Sequence, residues 1–170
     1  MSTTLIIEGN VTLTPGELRE NIQELLVSKL NKKYLTCNIN YGYVYKILAV
    51  HNKYTTLIDN NSSNINFNLK FKIERILPIV NMKLNCTVHT IFNHGIFAQV
   101  EDKIKILVPT STMSEYFFQK NQSDSTPASC FCKKDKSSYI TKNDTISIII
   151  TDVKYSKNRY NCIGKLSLKR

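Results

Sequence analysis

Apolar residues follow a helical period in one part of this chain and a period of two almost everywhere else. Leu18, Ile22, Leu25, Leu26 and Leu30 recur at steps of three, four and one, which lines a single helix face. Thr14-Pro15-Gly16-Glu17 stands just ahead: threonine at the N-cap, proline in the first helical position, glutamate three residues after the cap. A capping box of this kind satisfies N–H groups that a helix start leaves open, so a helix is expected over about 15–31. Short apolar stretches at 5–7 and 11–13 precede it, and aromatic and β-branched runs at 34–39 and 41–50 follow, with Gly42 as a bend. Ile65, Phe67, Leu69, Phe71 and Ile73 then alternate with polar residues, the mark of a strand with one buried and one wet face. A helix followed by strands makes a small α+β unit. Its seam is expected at Leu77-Pro78-Ile79, where proline interrupts the strand pattern.

Beyond the seam the pattern is all strand. Leu84, Cys86 and Val88 alternate up to the turn Asn93-His94-Gly95, and strands at 95–100 and 104–108 flank Glu101-Asp102-Lys103. A polar insertion at 119–142 reads as a long mobile loop. Ile146, Ile148 and Ile150 resume the alternation, and 159–168 supplies the last strand. Five short strands with the longest break between the third and fourth match the OB-fold barrel, which binds single-stranded oligonucleotides on one face. The expected architecture is an α+β domain at 1–80 followed by an all-β OB-fold barrel at 81–170.

Charge sharpens this division. Of 170 residues, 42% are hydrophobic and 21% charged, enough apolar material for packed cores, and the net charge is +10. Residues 79–170 carry 14 basic and 7 acidic side chains against 9 and 6 in 1–78, so the surplus lies on the barrel half and favours a polyanionic partner. Cys37, Cys86, Cys130, Cys132 and Cys162 are odd in number and lack framework spacing, and the first residues lack a secretion signal. Reduced thiols in an intracellular compartment are therefore expected. Cys130-Phe131-Cys132 has no second pair to complete a zinc site. His51, His89 and His94 stand beside no nucleophile signature, and no phosphate-cradling Gly-Lys-Ser or Gly-Lys-Thr is present. The chain is thus expected to be no enzyme, to need no cofactor or metal, and, with no apolar run of bilayer length, to have no membrane partner.

The order of these features resembles the seventh-subunit family of eukaryotic RNA polymerase II, with its archaeal counterpart. The residues that carry the resemblance are Val11-Thr12-Leu13-Thr14-Pro15 before a helix ending in Ser28-Lys29-Leu30, Cys37 with Tyr41-Gly42-Tyr43-Val44, and the Phe67-to-Ile73 alternation closing on Pro78. In the barrel they are His94-Gly95-Ile96-Phe97-Ala98 and Cys162-Ile163-Gly164-Lys165-Leu166. Departures fall at Asn81-Met82-Lys83-Leu84-Asn85 and at Glu101-Asp102, where the family usually has glycine-containing turns. The resemblance implies a tip domain that docks on RNA polymerase core subunits, a barrel that meets nascent single-stranded RNA, and a small helical stalk subunit as partner. It implies transcription in the nucleus, or in the cytoplasm or virion for a polymerase of a large DNA virus. The alternative is a free-standing OB-fold RNA-binding protein of translation or RNA turnover.

Candidate contact residues follow. Phe97 stands where OB-type RNA-binding repeats place a stacking aromatic, with His94 just before the turn glycine and Lys103 and Lys105 on the neighbouring turn and strand. Strand alternation alone permits Phe97 to face either way. Lys154, Tyr155, Lys157, Arg159 and Tyr160 gather basic and aromatic groups at the last turn, suited to phosphate and base contacts or to a solvated hairpin tip. Tyr41, Gly42, Tyr43 and Tyr45 form an aromatic segment that fits a docking interface on the polymerase core or ordinary strand packing.

Overall fold

The computed structural model describes residues 2–19, 21–58, 63–120 and 129–167, without the side chains of 19 and 52–55. The chain divides into two compact units, Met1–Leu77 and Pro78–Arg170. In the first, strands β1 (Thr3–Leu13), β2 (Cys37–Asn38), β3 (Gly42–Ile58) and β4 (Ile65–Ile76) form an antiparallel sheet in the order β1-β4-β3-β2. Helix α1 (Ile22–Tyr34) lays Leu26 and Leu30 on it, burying them with Ile7, Val11, Leu13, Val44, Phe67, Leu69, Phe71 and Ile73. The alternation of β4 is what makes this possible: Phe67, Leu69, Phe71 and Ile73 point to the helix, and Lys70 and Lys72 point to water. The two apolar stretches at 5–7 and 11–13 belong to one continuous strand. Gly9 keeps it straight beneath the Tyr34 ring, which occupies the space a Cβ would need.

The expected helix over 15–31 is two elements. A 3-10 turn spans Pro15–Arg19, and α1 starts afresh after Asn21, whose ψ of 100° is extended. The capping box acts in one direction only. One Glu17 carboxylate oxygen accepts the Thr14 N–H at 2.9 Å, the Thr14 hydroxyl at 3.1 Å and the Lys29 ammonium at 2.7 Å. Because the threonine hydroxyl donates to Glu17, it leaves the helix N–H groups alone, and the turn stays short. Lys29 and Lys33 reach back from α1 to the carbonyls of Thr12 and Asn10, each at 2.9 Å, and so cover the outer edge of β1.

The second unit is a closed barrel of β5 (Lys83–Phe92), β6 (Gly95–Val100), β7 (Ile104–Pro109), β11 (Thr145–Ser156) and β12 (Arg159–Leu166), in the cyclic order β11-β12-β7-β6-β5. Two pairings shut it: β12 runs parallel to β7, and β11 runs antiparallel to β5. This is the OB connectivity, in which the fifth strand lies between the third and fourth. Leu84, Cys86, Val88, Ile96, Ala98, Ile106, Ile148, Ile150 and Cys162 fill the interior. Gly164 is required there by space: a Cβ would press on the side chains of Ile148 and Ile106.

The stretch expected as a loop at 119–142 instead holds most of a separate three-stranded sheet, β8 (Tyr116–Lys120), β9 (Ser129–Lys133) and β10 (Tyr139–Ile140), in the order β10-β9-β8. Residues 121–128 of that stretch lie outside the described residues. Composition hides the sheet because β9 reads Ser-Cys-Phe-Cys-Lys, yet Cys130, Phe131 and Cys132 are all buried and the strand pairs on both sides. None of the five cysteines forms a disulfide, and all five are buried. Burial pushes the thiol of Cys86 up to about 12 and that of Cys162 to about 11, so these two behave as small apolar groups.

Two outcomes follow from these contacts. The Lys29 ammonium and the Thr14 N–H hold the Glu17 carboxyl at about 2, below its usual 4.5. A depressed folded value means the contribution is complete above about pH 4.5 and vanishes as pH falls towards 2. The urea midpoint of Glu17→Gln should therefore sit below that of the parent at neutral pH and converge on it in acid, with added salt narrowing the gap. Separately, Gly164→Ala should destabilise the barrel unit by about 1–3 kcal/mol through overpacking, measured by chemical denaturation.

Candidate nucleic-acid interface

Barrel closure decides which side chains face water. Ile96 and Ala98 are 0% and 1% exposed, so Phe97 between them points outward at 39%. It packs edge-on against Phe92, ring centroids 5.7 Å apart, and Phe92 is itself exposed on the same hairpin. Phe97 is opposite Leu107 of β7, and Leu107 is opposite Ile163 of β12, so three apolar side chains form a row across the outer wall. The next outward row is polar. It runs from Gln99 through Lys105 and Asn161 to Lys154. An apolar strip that ends on the exposed Asp152, opposite Ile163, and lies beside a line of amide and ammonium groups can stack a base and neutralise the phosphate next to it.

The remaining sequence candidates divide. His94 is exposed at the β5–β6 turn, where its carbonyl accepts the Thr110 N–H at 3.0 Å. Lys103 is exposed at the β6–β7 turn. Lys157 and Asn158 form the tip of the β11–β12 hairpin with φ of 50° and 57°, and Lys157 and Arg159 are solvent-exposed. Among the described residues, none of Lys103, Lys105, Lys154, Lys157 and Arg159 has a carboxylate partner within ion-pair distance. Their charge is therefore available to a polyanion. Tyr160 is a correction. It is only 6% exposed and packs at a tilt against its register partner Tyr155, ring centroids 4.9 Å apart, so its ring is not offered to a ligand, whereas Tyr155 is half-buried. The cause is alternation: Lys154 and Arg159 take the outward positions of the hairpin, leaving Tyr155 and Tyr160 the inward ones. Sequence reading misses Phe92, Leu107, Ile163, Gln99 and Asn161. Cys162 and Gly164 facing inward would imply the outward placement of Ile163.

The tyrosine segment of the first unit is mostly interior. Tyr43 is 8% exposed and sits in the sheet between Cys37 and Ile76, while Tyr41 and Tyr45 are half-buried. Gly42 has φ of 78°, which favours glycine, and a Cβ there would strike the Ile76 carbonyl. Arg75 fixes the turn by donating to the Tyr41 carbonyl at 3.2 Å. Gly42 and Tyr43 thus serve the turn and the sheet, while Tyr41 and Tyr45 keep part of their rings at the surface. The open apolar side chains of this unit are Ile39 at 60%, Leu57 at 62% and Ile58 at 68% exposure.

Among the described residues no three or more His, Cys, Asp or Glu side chains are grouped to hold a metal ion. No helix among them is long and apolar enough to cross a membrane. The chain is similar to DNA-directed RNA polymerase II subunit rpb7 of Dictyostelium discoideum, 24% identical over 164 residues, covering 95% of this chain and 92% of that protein. No family model matches it. The similarity extends over both units and supports the polymerase-subunit family that the motifs resemble.

The placement of the two aromatic groups is directly measurable. Tyr160→Ala should cost about 3–5 kcal/mol in chemical denaturation, like other large core truncations. Phe97→Ala, which loses only the edge contact with Phe92, should cost about 0.5–1.5 kcal/mol, clearly less than Tyr160→Ala.

Proposed function

We propose that this chain is a non-catalytic stalk subunit of a multisubunit DNA-directed RNA polymerase, acting inside the cell. Residues 1–80 dock on the core subunits, and residues 81–170 present their outer barrel face to nascent RNA. The observation that carries this reading is the row of Phe97, Leu107 and Ile163 beside Lys105 and Lys154 on an OB barrel, in a chain similar over 95% of its length to a polymerase II subunit. Docking falls to the exposed Ile39, Leu57 and Ile58 rather than to Tyr43, because apolar side chains already in water gain most when covered. A small helical stalk protein belongs to the same reading as the partner.

RNA binding on this face combines base stacking with counterion release, so it is tolerant of sequence and falls with salt. Phe97→Ala should weaken single-stranded RNA binding in a filter-binding titration by roughly 5- to 150-fold, the equivalent of one stacked base at about 1–3 kcal/mol. Replacing Lys105 and Lys154 together by alanine should lower the slope of log affinity against log salt by about 1.4, at about 0.7 per phosphate contact on a single strand. No binding at low salt would end the RNA role. Purification of the tagged chain in mild salt without the large polymerase subunits would end the stalk assignment and leave a free-standing OB-fold protein.

A further inference from the structure

The sheet inserted between the third and fourth barrel strands is closed on both faces of its central strand and exposes side chains on its outer strands. Phe131 is 0% and Ile140 6% exposed, and Phe118 packs on Phe131 with centroids 5.7 Å apart, so their side is covered. On the opposite side the register places Phe117, Cys132 and Tyr139 in one row across β8, β9 and β10. Phe117 is 40% and Tyr139 55% exposed, while Cys132 between them is 1% exposed. The two rings stand on the outer strands, whose backbones are roughly 9–10 Å apart, and the Tyr139 hydroxyl bonds the Cys132 thiol, so its ring lies over the central strand. Each ring keeps one part of its surface in water, where a planar group can lie against it.

Charge selects the occupant. The described residues of 115–144 contain Lys120, Lys133, Lys134, Lys136 and Lys142 against Glu115, Asp135 and Asp144, five cations to three acids, and among them Lys133 pairs with Asp135 at 3.3 Å. Exposed rings among a surplus of ammonium groups suit a polyanion that carries planar bases better than they suit an apolar protein surface. We propose that Phe117 and Tyr139 form a second base-stacking site for single-stranded nucleic acid, separate from Phe97. The strand is taken to be RNA because of the function proposed above. The second site lets one strand engage two parts of the barrel unit and lengthens the footprint beyond what Phe97 alone can hold.

The chain contains no tryptophan, so a single introduced indole is an unambiguous reporter. Tyr139→Trp and Phe97→Trp are made separately in the full chain and titrated with a uridine 20-mer at low salt. Both emissions should be quenched, and adding Phe117→Ala to Tyr139→Trp should weaken its titration at least fivefold while leaving Phe97→Trp quenching in place. Phe117→Trp is the second reporter if Tyr139→Trp fails to fold. Quenching at 97 without quenching at 139 or 117 overturns the second site and spares the proposed function; quenching at neither overturns both. Inorganic polyphosphate, a polyanion without rings, should leave the indole at 139 unquenched. Quenching by polyphosphate to the same extent as by RNA, or a response at 139 to polymerase core alone, overturns stacking there.

Discussion

Closure of the barrel is the constraint from which the second unit's surface chemistry follows. In an open sheet, β6 could shift by one residue and exchange its faces. Here the last strand returns to lie parallel to β7 while β11 pairs with β5, so every strand has neighbours on both sides. A slip of β6 would bring Phe97 inside and force Ile96 and Ala98 out, losing the packing of two side chains that are fully enclosed. The apolar interior therefore holds Phe97 in water. Exposure of a phenyl ring, unfavourable by itself, is fixed by the burial of its neighbours, and Phe92 recovers part of the loss by packing on its edge.

The same logic separates cations from aromatics at the β11–β12 hairpin. Its two-residue tip forces Ser156 opposite Arg159 and Tyr155 opposite Tyr160, so side chains alternate strictly on the way into the barrel. Lysine and arginine cannot be enclosed without a partner, whereas the tyrosine pair can be. A cluster that looks uniform along the chain is thus split between a charged outer face and an inward-facing aromatic pair.

Alternation makes β4, β5, β6 and β7 legible in the sequence, and the break between the third and fourth barrel strands announces the topology. What stays hidden needs contacts distant along the chain. The direction in which Phe97 points depends on closure by β11 and β12, some fifty residues later. The aromatic segment at 41–45 fits a docking interface or strand packing equally well in the sequence, and for Tyr43 the choice falls only when β4 returns to pair it with Ile76. The β8–β9–β10 sheet is illegible because its strands are short and its central strand is cysteine-rich. The broken helix start is a competition that spacing cannot reveal: Lys29, from the third turn of α1, joins Thr14 on the Glu17 carboxylate and holds it away from α1's own N–H groups.

Magnitudes bear on why an RNA-contacting barrel of this type would belong to a larger assembly. One stacked base contributes about 1–3 kcal/mol, and phosphate contacts fade at physiological salt, so under the proposed function a face built on Phe97, Lys105 and Lys154 would bind a free strand weakly. Held next to a strand by a tether of short reach, the same face meets its ligand at an effective concentration in the millimolar range. Weak contacts then suffice, and they release as the strand moves on. A free-standing protein would need many more exposed rings and cations to reach the same occupancy. The modest outer wall of this barrel is therefore better matched to a docked subunit than to an independent RNA binder.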